Sequence, residues 1–323
     1  MPAASHTEIL QHWRNRLLHW GKMFAGTSYY HQQQGLGRVF RPGKLEGYFN
    51  DLSGKTNWHG ETAVNGLPVT KLSNGKAVHF PTLLCQKALG HWDLWLLQAG
   101  SEDREKFLGI SRWLVETQDA NGGWDTLGLL DRPHRYRYSA MTQGQAVSVM
   151  ARAHALSSDK VFADTSGKAV ALMQKPVPKE GVCCYEGENV ILEEFPDDAR
   201  DTVLNGWVFA LFGLYDYLLQ FPDEKIRSFY DRSLASLARS LAEFDSGYWS
   251  YYSSGTKRIA SPFYHRLHLA QLEALAQAAP REIWSRTITR WRDYERNRLC
   301  KSRAVFRKAM QKLTEPAEVT VIG

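Results

Sequence analysis

Arginine side chains that can bind anions are concentrated in the segment RPHRYRYSAMTQGQA, immediately before and within a helical pattern. Arg135 and Arg137 lie there beside Tyr138, and a guanidinium binds a carboxylate through two parallel hydrogen bonds. The spacing therefore predicts an anion-binding edge at the start of this helix. Gln143 and Gln145 follow inside the helix, where each can be a ligand or a hydrogen-bonding partner within the core.

A second group of polar residues surrounds a very apolar segment, LNGWVFALFGLYDY. Glu193 and Glu194 are adjacent on the loop ahead of it, a pattern that by itself is more typical of solvated charges. Asn205 lies within the apolar segment, where an amide is more often hydrogen-bonded in the core than a ligand. Trp124, in the sequence NGGWDT, is equally compatible with the core and with a platform on which a sugar ring stacks.

Tyrosines and histidines cluster near the end of the same region, in DSGYWSYYSSGTKRIASPFYHRLHLAQLEAL. Tyr252 and Tyr264 belong to this cluster, together with His265 and His268. The two histidines have the i,i+3 spacing that can bind a metal ion. Because the sequence shows no third ligand, we expect a structural or hydrogen-bonding pair and predict no metal site.

The elements that must position these residues are mainly helical. Apolar residues recur at helical spacing in eight segments after Pro81, about 82–99, 102–118, 140–157, 159–174, 201–219, 223–244, 262–278 and 281–312. Paired helices at roughly regular spacing predict an α/α toroid in which inner helices and their loops line one cleft. We therefore expect a catalytic domain over 81–280 and a basic helix and tail over 281–323.

Residues 1–80 have a different pattern. Ile9, Leu10, Trp13 and Leu17 predict an amphipathic helix over 6–24. GRVF, LEGYFN and LPVTKLSNGKAVHF alternate as strands do, and the Asn-Gly pair in the last of them predicts a hairpin turn. We expect a small β-hairpin element ahead of the helical domain.

Composition limits the function classes. The net charge is +6, and 281–312 holds eleven Lys or Arg against three acids, so the remainder is nearly neutral. This excess indicates a solvated helical face or a positive field near a polyanion; no nucleic-acid recognition motif accompanies it. No apolar run is long enough to span a bilayer and no secretory leader is evident. Four sparse cysteines form no disulfide framework, so we expect a cytoplasmic protein.

Five ordered motifs between about residues 80 and 280 resemble the C-terminal domain of the D-glucuronyl C5-epimerases. They are TQDANGGW, YSAMTQGQA, EEFP, VLNGWVFALFGLYD and YHRLHLAQL. The resemblance implies an α/α toroid and a cofactor-independent reaction at C5 of a hexuronate within an acidic, heparosan-like polysaccharide. The animal members also suggest a homodimer.

The resemblance also implies roles for individual residues. Glu194 corresponds to the glutamate thought to engage the substrate carboxylate, with Tyr252 and Tyr264 as the two proton carriers. A phenolate requires a nearby cation, because the pKa of a free Tyr is about 10. We expect the remaining substrate contacts from Arg135, Arg137, Tyr138, Gln143, Gln145, Glu193, Asn205, Trp124, Arg258, His265 and His268.

Two departures from the family pattern leave alternatives open. Phe195 stands where the family has a tyrosine, so one hydroxyl is missing. The segment between Tyr252 and Tyr264 is shorter than in animal members, which makes Tyr251 an alternative to Tyr252. A polysaccharide lyase would begin with the same C5 proton abstraction and then expel the C4 oxygen, and a non-catalytic polysaccharide-binding protein would keep the cleft without turnover.

Overall fold

The computed structural model describes residues 32–72, 75–130, 135–197 and 200–314. Within these ranges the chain is mainly helical, as predicted. The helices are α1 (Pro81–Gln98), α2 (Ser101–Thr117), α3 (Ala140–Ser157), α4 (Lys160–Gln174), α5 (Leu204–Gln220), α6 (Glu224–Ser240), α7 (Pro262–Ala278), α8 (Glu282–Arg296) and α9 (Arg298–Thr314). Short strands form two antiparallel hairpins, β1 (Thr70–Lys71) with β2 (Ala77–Val78) and β3 (Cys183–Glu186) with β4 (Asn189–Leu192).

The first eight helices form two layers. Helices α1, α3, α5 and α7 contact one another in that order, while α2, α4, α6 and α8 each pack against the inner helix that precedes them. The sequence explains this division, because residues 204–214 of α5 are buried on every face whereas α6 buries only one apolar stripe. This alternation is the arrangement of an α/α toroid, which confirms the predicted fold class.

Glycines allow the inner helices α3 and α5 to approach closely. A Cβ at Gly144 would lie 2.5 Å from the Cα of Ala210 and 2.7 Å from the carbonyl oxygen of Phe209. A Cβ at Gly213 would in turn overlap the backbone of Gly144. Side chains at these two positions would therefore force the helices apart. This close packing fixes the start of α5, where Asn205 lies.

A buried ion pair joins the same two helices to the N-terminal segment. Arg152 on α3 donates to Asp216 on α5 at 2.5 Å, and both side chains are buried. The guanidinium also donates to the carbonyl oxygens of Glu46 at 3.3 Å and Gly47 at 3.2 Å. Because every charge in this pair has a partner, Asp216 of the GLYD motif stabilises the fold.

The N-terminal segment contains less strand than predicted. The hairpin is confirmed, since Thr70 pairs with Val78 and Lys71 with Ala77 on either side of the expected turn. The prediction of strands for GRVF and LEGYFN was wrong; a single bridge joins Leu36 to Asn50. Instead of continuing a ladder, Phe49 stacks on Phe212 of α5 with ring centroids 3.9 Å apart. The helix predicted over 6–24 lies outside the described residues.

The C-terminal basic segment was predicted as one helix over 281–312, and this prediction was wrong. Asn297 leaves the helical conformation, with φ −77° and ψ 114°, and separates α8 from α9. Its Oδ1 accepts hydrogen bonds from the backbone N–H groups of Leu299 at 2.9 Å and Cys300 at 3.2 Å. Asn297 is therefore the N-cap of a new helix. In the part of the chain that the structure describes, no helix is both long and apolar enough to cross a bilayer.

Candidate active site

The start of α5 holds the carboxylate of Glu194. The loop that follows β4 brings this side chain against the first turn of the helix, where Asn205 Nδ2 donates to Glu194 Oε2 at 3.3 Å. Gly206 is required for this approach, because a Cβ there would overlap the carboxylate. The unpaired N–H groups of a helix N-terminus favour negative charge. Glu194 is thus a buried acid held against the first turn of α5.

Glu193 is fixed by its backbone and titrates near neutrality. Its N–H donates to the carbonyl oxygen of Val182 at 2.8 Å, and its own carbonyl oxygen accepts from Ala140 at the start of α3 at 2.9 Å. Burial raises the pKa of the carboxyl to about 7, although Thr202 opposes the shift by donating to Oε1. That hydrogen bond is 2.7 Å long. Glu193 can therefore exist in either protonation state near pH 7.

Leu204 and Asn205, in the first turn of α5, connect the Tyr252 segment and α7 to the rest of the site. The N–H of Leu204 donates to the carbonyl oxygen of Tyr252 at 3.2 Å, so the segment carrying that tyrosine lies beside the first turn of α5. From α7, Gln271 Nε2 donates to the carbonyl oxygen of Asn205 at 3.1 Å. One helical turn therefore contacts Glu194, the Tyr252 segment and α7, the helix that carries Tyr264 in its first turn.

Tyr252 and Tyr264 are in direct contact. Their ring centroids are 4.7 Å apart and the ring planes are inclined by 61°. Ser261 is the N-cap of α7 and accepts from the N–H of Tyr264 at 3.4 Å, which places this tyrosine in the first turn of the helix. Phe195 packs against the same apolar cluster as both tyrosines. The substituted family position therefore borders the apolar cluster that includes Tyr252 and that Tyr264 also contacts.

Tyr251 has a different environment from Tyr252. Its ring lies 5.6 Å from Nζ of Lys257 and 5.9 Å from the guanidinium carbon of Arg307. A bridge with Ile259 shows that this segment is extended, and successive side chains of an extended segment point to opposite sides. Tyr251 thus faces the cations of α9 and of the following loop, whereas Tyr252 contacts Tyr264.

Asp201 holds the loop that carries Arg258. It accepts hydrogen bonds from the backbone N–H of Gly255 at 3.0 Å, from that of Thr256 at 2.8 Å and from Arg258 Nη2 at 3.0 Å. Burial opposes ionisation of Asp201, but the hydrogen bonds from Thr256 and Arg258 outweigh it and the pKa lies below its usual value. Tyr252 N donates to the carbonyl oxygen of Arg258 at 2.6 Å, so the backbone of Arg258 pairs with the tyrosine segment while Asp201 holds its guanidinium.

His265 and His268 face Ser250. Nδ1 of His265 lies 2.8 Å from Ser250 Oγ, Nδ1 of His268 lies 3.1 Å from the same oxygen, and Nε2 of His265 lies 3.1 Å from the carbonyl oxygen of Trp291. Burial lowers the pKa of His265 to about 4 and that of His268 well below its usual value, so both rings are neutral at pH 7. The carbonyl oxygen of Trp291 can only accept, so Nε2 of His265 carries the proton. The Ser250 hydroxyl therefore donates to Nδ1 of His265 and accepts from Nδ1 of His268.

The predicted anion-binding edge is partly exposed. Arg137 Nε donates to Asp125 at 2.9 Å, and its guanidinium lies over the ring of Tyr138 at 5.7 Å. Burial and a 2.5 Å hydrogen bond to Asp119 raise the pKa of Tyr138 to about 12. Arg135 is exposed and lies over the ring of Tyr136 at 5.3 Å. Arg132 and His134 of the same segment lie outside the described residues.

Three other predicted contact residues are buried in the helical core. The indole N–H of Trp124 donates to the carbonyl oxygen of Leu114 at 2.8 Å, and Gln143 Nε2 donates to that of Trp124 at 3.3 Å. Gln145 is fully buried, and among the described residues neither of its amide atoms has a hydrogen-bonding partner. The structure thus places these three side chains in the core, whereas Arg135 and Arg137 are exposed.

A family model, D-glucuronyl C5-epimerase C-terminus, matches residues 132–293, which is half of the chain. The chain belongs to the D-glucuronyl C5-epimerase C-terminus family. The match includes Glu193, Glu194, Tyr252 and Tyr264, and ends at the last turn of α8. The resemblance inferred from the five motifs is thereby confirmed.

A relative within this family is D-glucuronyl C5-epimerase from Caenorhabditis elegans. The two are 28% identical over 225 residues, which cover 62% of this chain and 36% of the relative. The alignment therefore spans little more than a third of the relative's length.

Solved structures resemble the chain more distantly. Unsaturated glucuronyl hydrolase from Bacillus sp. GL1 has a TM-score of 0.47 and 11% identity, over 69% of this chain and 61% of that one. A polysaccharide lyase has a TM-score of 0.41 and 12% identity, over 86% of this chain and 71% of that one. Likeness at this level carries no inference about activity.

Several residues that hold the candidate site were not predicted from the sequence. Thr202 and Asp201 fix Glu193 and the Arg258 loop, and Ser250 joins the two histidines. No local pattern marks these three, because each acts on residues distant in sequence. Gln271 was detectable, since it is the glutamine of the motif YHRLHLAQL.

Proposed function

We propose that this chain epimerises hexuronate residues at C5 within an acidic, heparosan-like polysaccharide, interconverting D-glucuronate and L-iduronate. The observation that carries the proposal is the contact between Tyr252 and Tyr264, 4.7 Å between ring centroids, next to the turn of α5 that holds Glu194. Membership of the family and a relative named D-glucuronyl C5-epimerase support the same reaction.

The reaction requires a base and an acid on opposite faces of the sugar. The C5–H bond is adjacent to the substrate carboxylate, and one tyrosine, as phenolate, takes that proton. The electron pair moves into the carboxylate, and the second tyrosine, as phenol, returns a proton to C5 from the other face. Each turnover leaves the two tyrosines with exchanged protonation states. A solvent proton therefore enters at C5 once the tyrosines exchange with water.

Glu194 is assigned to the substrate carboxylate. Removing the C5 proton adds negative charge to a group that is already anionic, so the site must neutralise it. Two carboxylates held within hydrogen-bonding distance share one proton, because both cannot readily stay ionised. A Glu194–substrate pair that shares a proton would bind the carboxylate and lower its electron density. Glu193, with a pKa of about 7, is assigned as an adjacent proton reservoir.

Arg258 is assigned as the cation that favours the phenolate. His265 is neutral and hydrogen-bonded to Trp291, and Arg266 pairs with Glu295 at 2.7 Å. Arg258 is anchored beside the Tyr252 segment by Asp201. Both arginines pair with an acid, so what supports Arg258 over the two residues next to Tyr264 is its position: its carbonyl oxygen accepts from the N–H of Tyr252.

Polymer binding is assigned to the partly exposed edge formed by Arg135 and Arg137. These guanidiniums can bind uronate carboxylates on sugars flanking the reacting one. We assign supporting roles in substrate binding to Tyr138, Trp124, Gln143 and Gln145 on the side of this edge, and to Asn205, His265 and His268 on the side of Glu194 and α7.

The proposal is tested by incubating the chain with heparosan-like polymer in D2O. Deuterium at C5 in polymer of unchanged length is the expected result. An unsaturated, ultraviolet-absorbing chain end would instead show a lyase. Binding without either product would show a non-catalytic polysaccharide-binding protein, and both outcomes contradict the proposal.

A further inference from the structure

Helix α9 presents an apolar stripe to solvent. The exposed fractions are 82% for Leu299, 69% for Phe306, 45% for Met310 and 50% for Leu313. At about 100° per residue these four side chains fall within an arc of about 60° on one face of the helix. Single exposed apolar residues are common, but four aligned along one helix indicate an interaction surface. We call this surface the α9 stripe.

The opposite face of α9 attaches the helix to the toroid. Ala304 is buried in the apolar cluster that contains Trp249 and Ile259. Lys308, one turn later, is also buried, and Gln311 Oε1 accepts from the N–H of Ile259 at 3.1 Å. The helix is therefore fixed in orientation, and the α9 stripe points away from the core that it covers.

The charge on α9 is of one sign. Six of its side chains are Lys or Arg and none is Asp or Glu. Arg303 and Arg307 border the stripe; the guanidinium of Arg303 lies 4.0 Å from the ring of Tyr248, and Arg307 donates to the hydroxyl of Tyr248 at 3.1 Å. Arg298 is exposed on the other side of the stripe, at the start of the helix. An apolar stripe beside basic side chains on the same helix is typical of helices that lie in a membrane interface.

Three kinds of partner can be compared on this chemistry. A second copy docking through the α9 stripe would bring two wholly basic helices together, which costs electrostatic energy. An acidic polysaccharide would pair with the Arg and Lys side chains but leave Leu299, Phe306, Met310 and Leu313 in water. An anionic lipid bilayer accepts both, because apolar side chains enter the acyl boundary while basic ones contact the headgroups.

We propose that the α9 stripe binds the surface of an anionic lipid bilayer. The proposal does not depend on the epimerase activity, since α9 lies outside the part of the chain that matches the family, residues 132–293. It requires peripheral contact along one face of one helix.

The test is flotation of the full chain with vesicles of phosphatidylcholine alone or mixed with phosphatidylserine. We expect binding to the mixed vesicles that weakens with added salt, and much weaker binding to phosphatidylcholine. Phe306→Ser with Leu313→Ser should lower the partition coefficient by about tenfold or more, because two apolar side chains no longer enter the interface. The matched control is Leu97→Ser with Val161→Ser, two exposed apolar residues on α1 and α4, and it should bind as the wild type does.

Three outcomes would overturn the proposal. Absence of vesicle binding would leave the stripe to another partner, including the chain segments 1–31 and 315–323. Binding that the stripe variant retains and that heparosan-like polymer displaces would assign the surface to polyanionic sugar. Light scattering that shows a dimer in the wild type and a monomer in the stripe variant, without vesicle binding, would assign it to a second copy.

Discussion

The carboxylate of Glu194 occupies the space that a side chain at Gly206 would need. The two residues are 12 positions apart, and the contact exists because α5 begins where the loop after β4 ends. Asn205 Nδ2 donates to Oε2 of the same carboxylate at 3.3 Å. In the VLNG motif, Asn205 therefore donates a hydrogen bond to the carboxylate, whereas Gly206 leaves the space that the carboxylate fills.

Gly206→Ala should therefore displace Glu194 and impair catalysis. The added methyl group overlaps the carboxylate, and a misplacement of about 1 Å in a catalytic group can lower the rate by about 100-fold. We expect the rate of C5 deuterium exchange to fall by about that factor while circular dichroism shows an unchanged helical content.

Gly109→Ala is the matched control for this change. Gly109 is exposed within α2, and a Cβ there meets no atom within 4 Å. Alanine in an exposed helix interior should stabilise the chain by about 0.5–1 kcal/mol, measured by urea unfolding. Equal loss of exchange in both variants would contradict the special role of Gly206.

Ser250→Ala should destabilise the fold by about 1–3 kcal/mol, because it leaves Nδ1 of His265 and Nδ1 of His268 without their shared hydroxyl in a buried site. Urea unfolding at pH 7 measures the effect. Ser302→Ala, at an exposed position on α9, is the control and should change stability by less than about 0.5 kcal/mol. Equal stability of the two variants would show that the histidines find other partners.

Glu193→Gln should alter how stability depends on pH. Burial raises the pKa of Glu193 to about 7 in the folded chain, whereas an unfolded Glu titrates near 4.3. The folded state therefore holds a proton that the unfolded state releases, and this contribution is present below about pH 4.3 and lost as the pH rises through 7. The free energy of unfolding of Glu193→Gln, relative to wild type, should rise from pH 4 to 7 and then level off.

Asp93, His265 and His268 also titrate with shifted pKa values, but they are common to both proteins. Their contributions cancel in the difference between variant and wild type. A difference that stays constant from pH 4 to 8 would show that Glu193 has an ordinary pKa.

The helical part of the fold could be predicted because its signals are local. The segments 140–157 and 262–278 begin and end as predicted, with Pro262 at the first position of the second. The break at Asn297 was missed because the apolar spacing continues across it, although asparagine is a strong N-cap residue. The strand prediction for LEGYFN was wrong although its residues alternate, because Tyr48 and Phe49 pack on α5 rather than on another strand.

The site was predicted through motif resemblance more than through physical pattern. Tyr252 and Tyr264 are 12 residues apart in different elements, and only the fold brings their rings together. The i,i+3 histidine pair was correctly expected to form hydrogen bonds, but its partner Ser250 lies on a separate loop. Residues such as Asp201 act across more than 50 positions, and such pairings have no signal in a single sequence.

The choice between Tyr251 and Tyr252 can be resolved by paired variants. Tyr252 contacts Tyr264, while Tyr251 lies near Lys257 and Arg307. Tyr252→Phe should therefore lower C5 exchange by about 100-fold or more, the usual contribution of an acid or base. Tyr251→Phe should retain most of the exchange. The opposite result would assign the second proton carrier to Tyr251.

The most direct measurement of the proposed activity is C5 deuterium incorporation into heparosan-like polymer by Tyr264→Phe in D2O. The variant keeps the ring that packs against Tyr252 and loses only the hydroxyl, so folding and polymer binding should be close to wild type. We predict that incorporation falls to background while polymer affinity changes by less than about threefold. Incorporation at the wild-type rate would contradict the assignment of Tyr264 as a proton carrier, and with it the proposed mechanism.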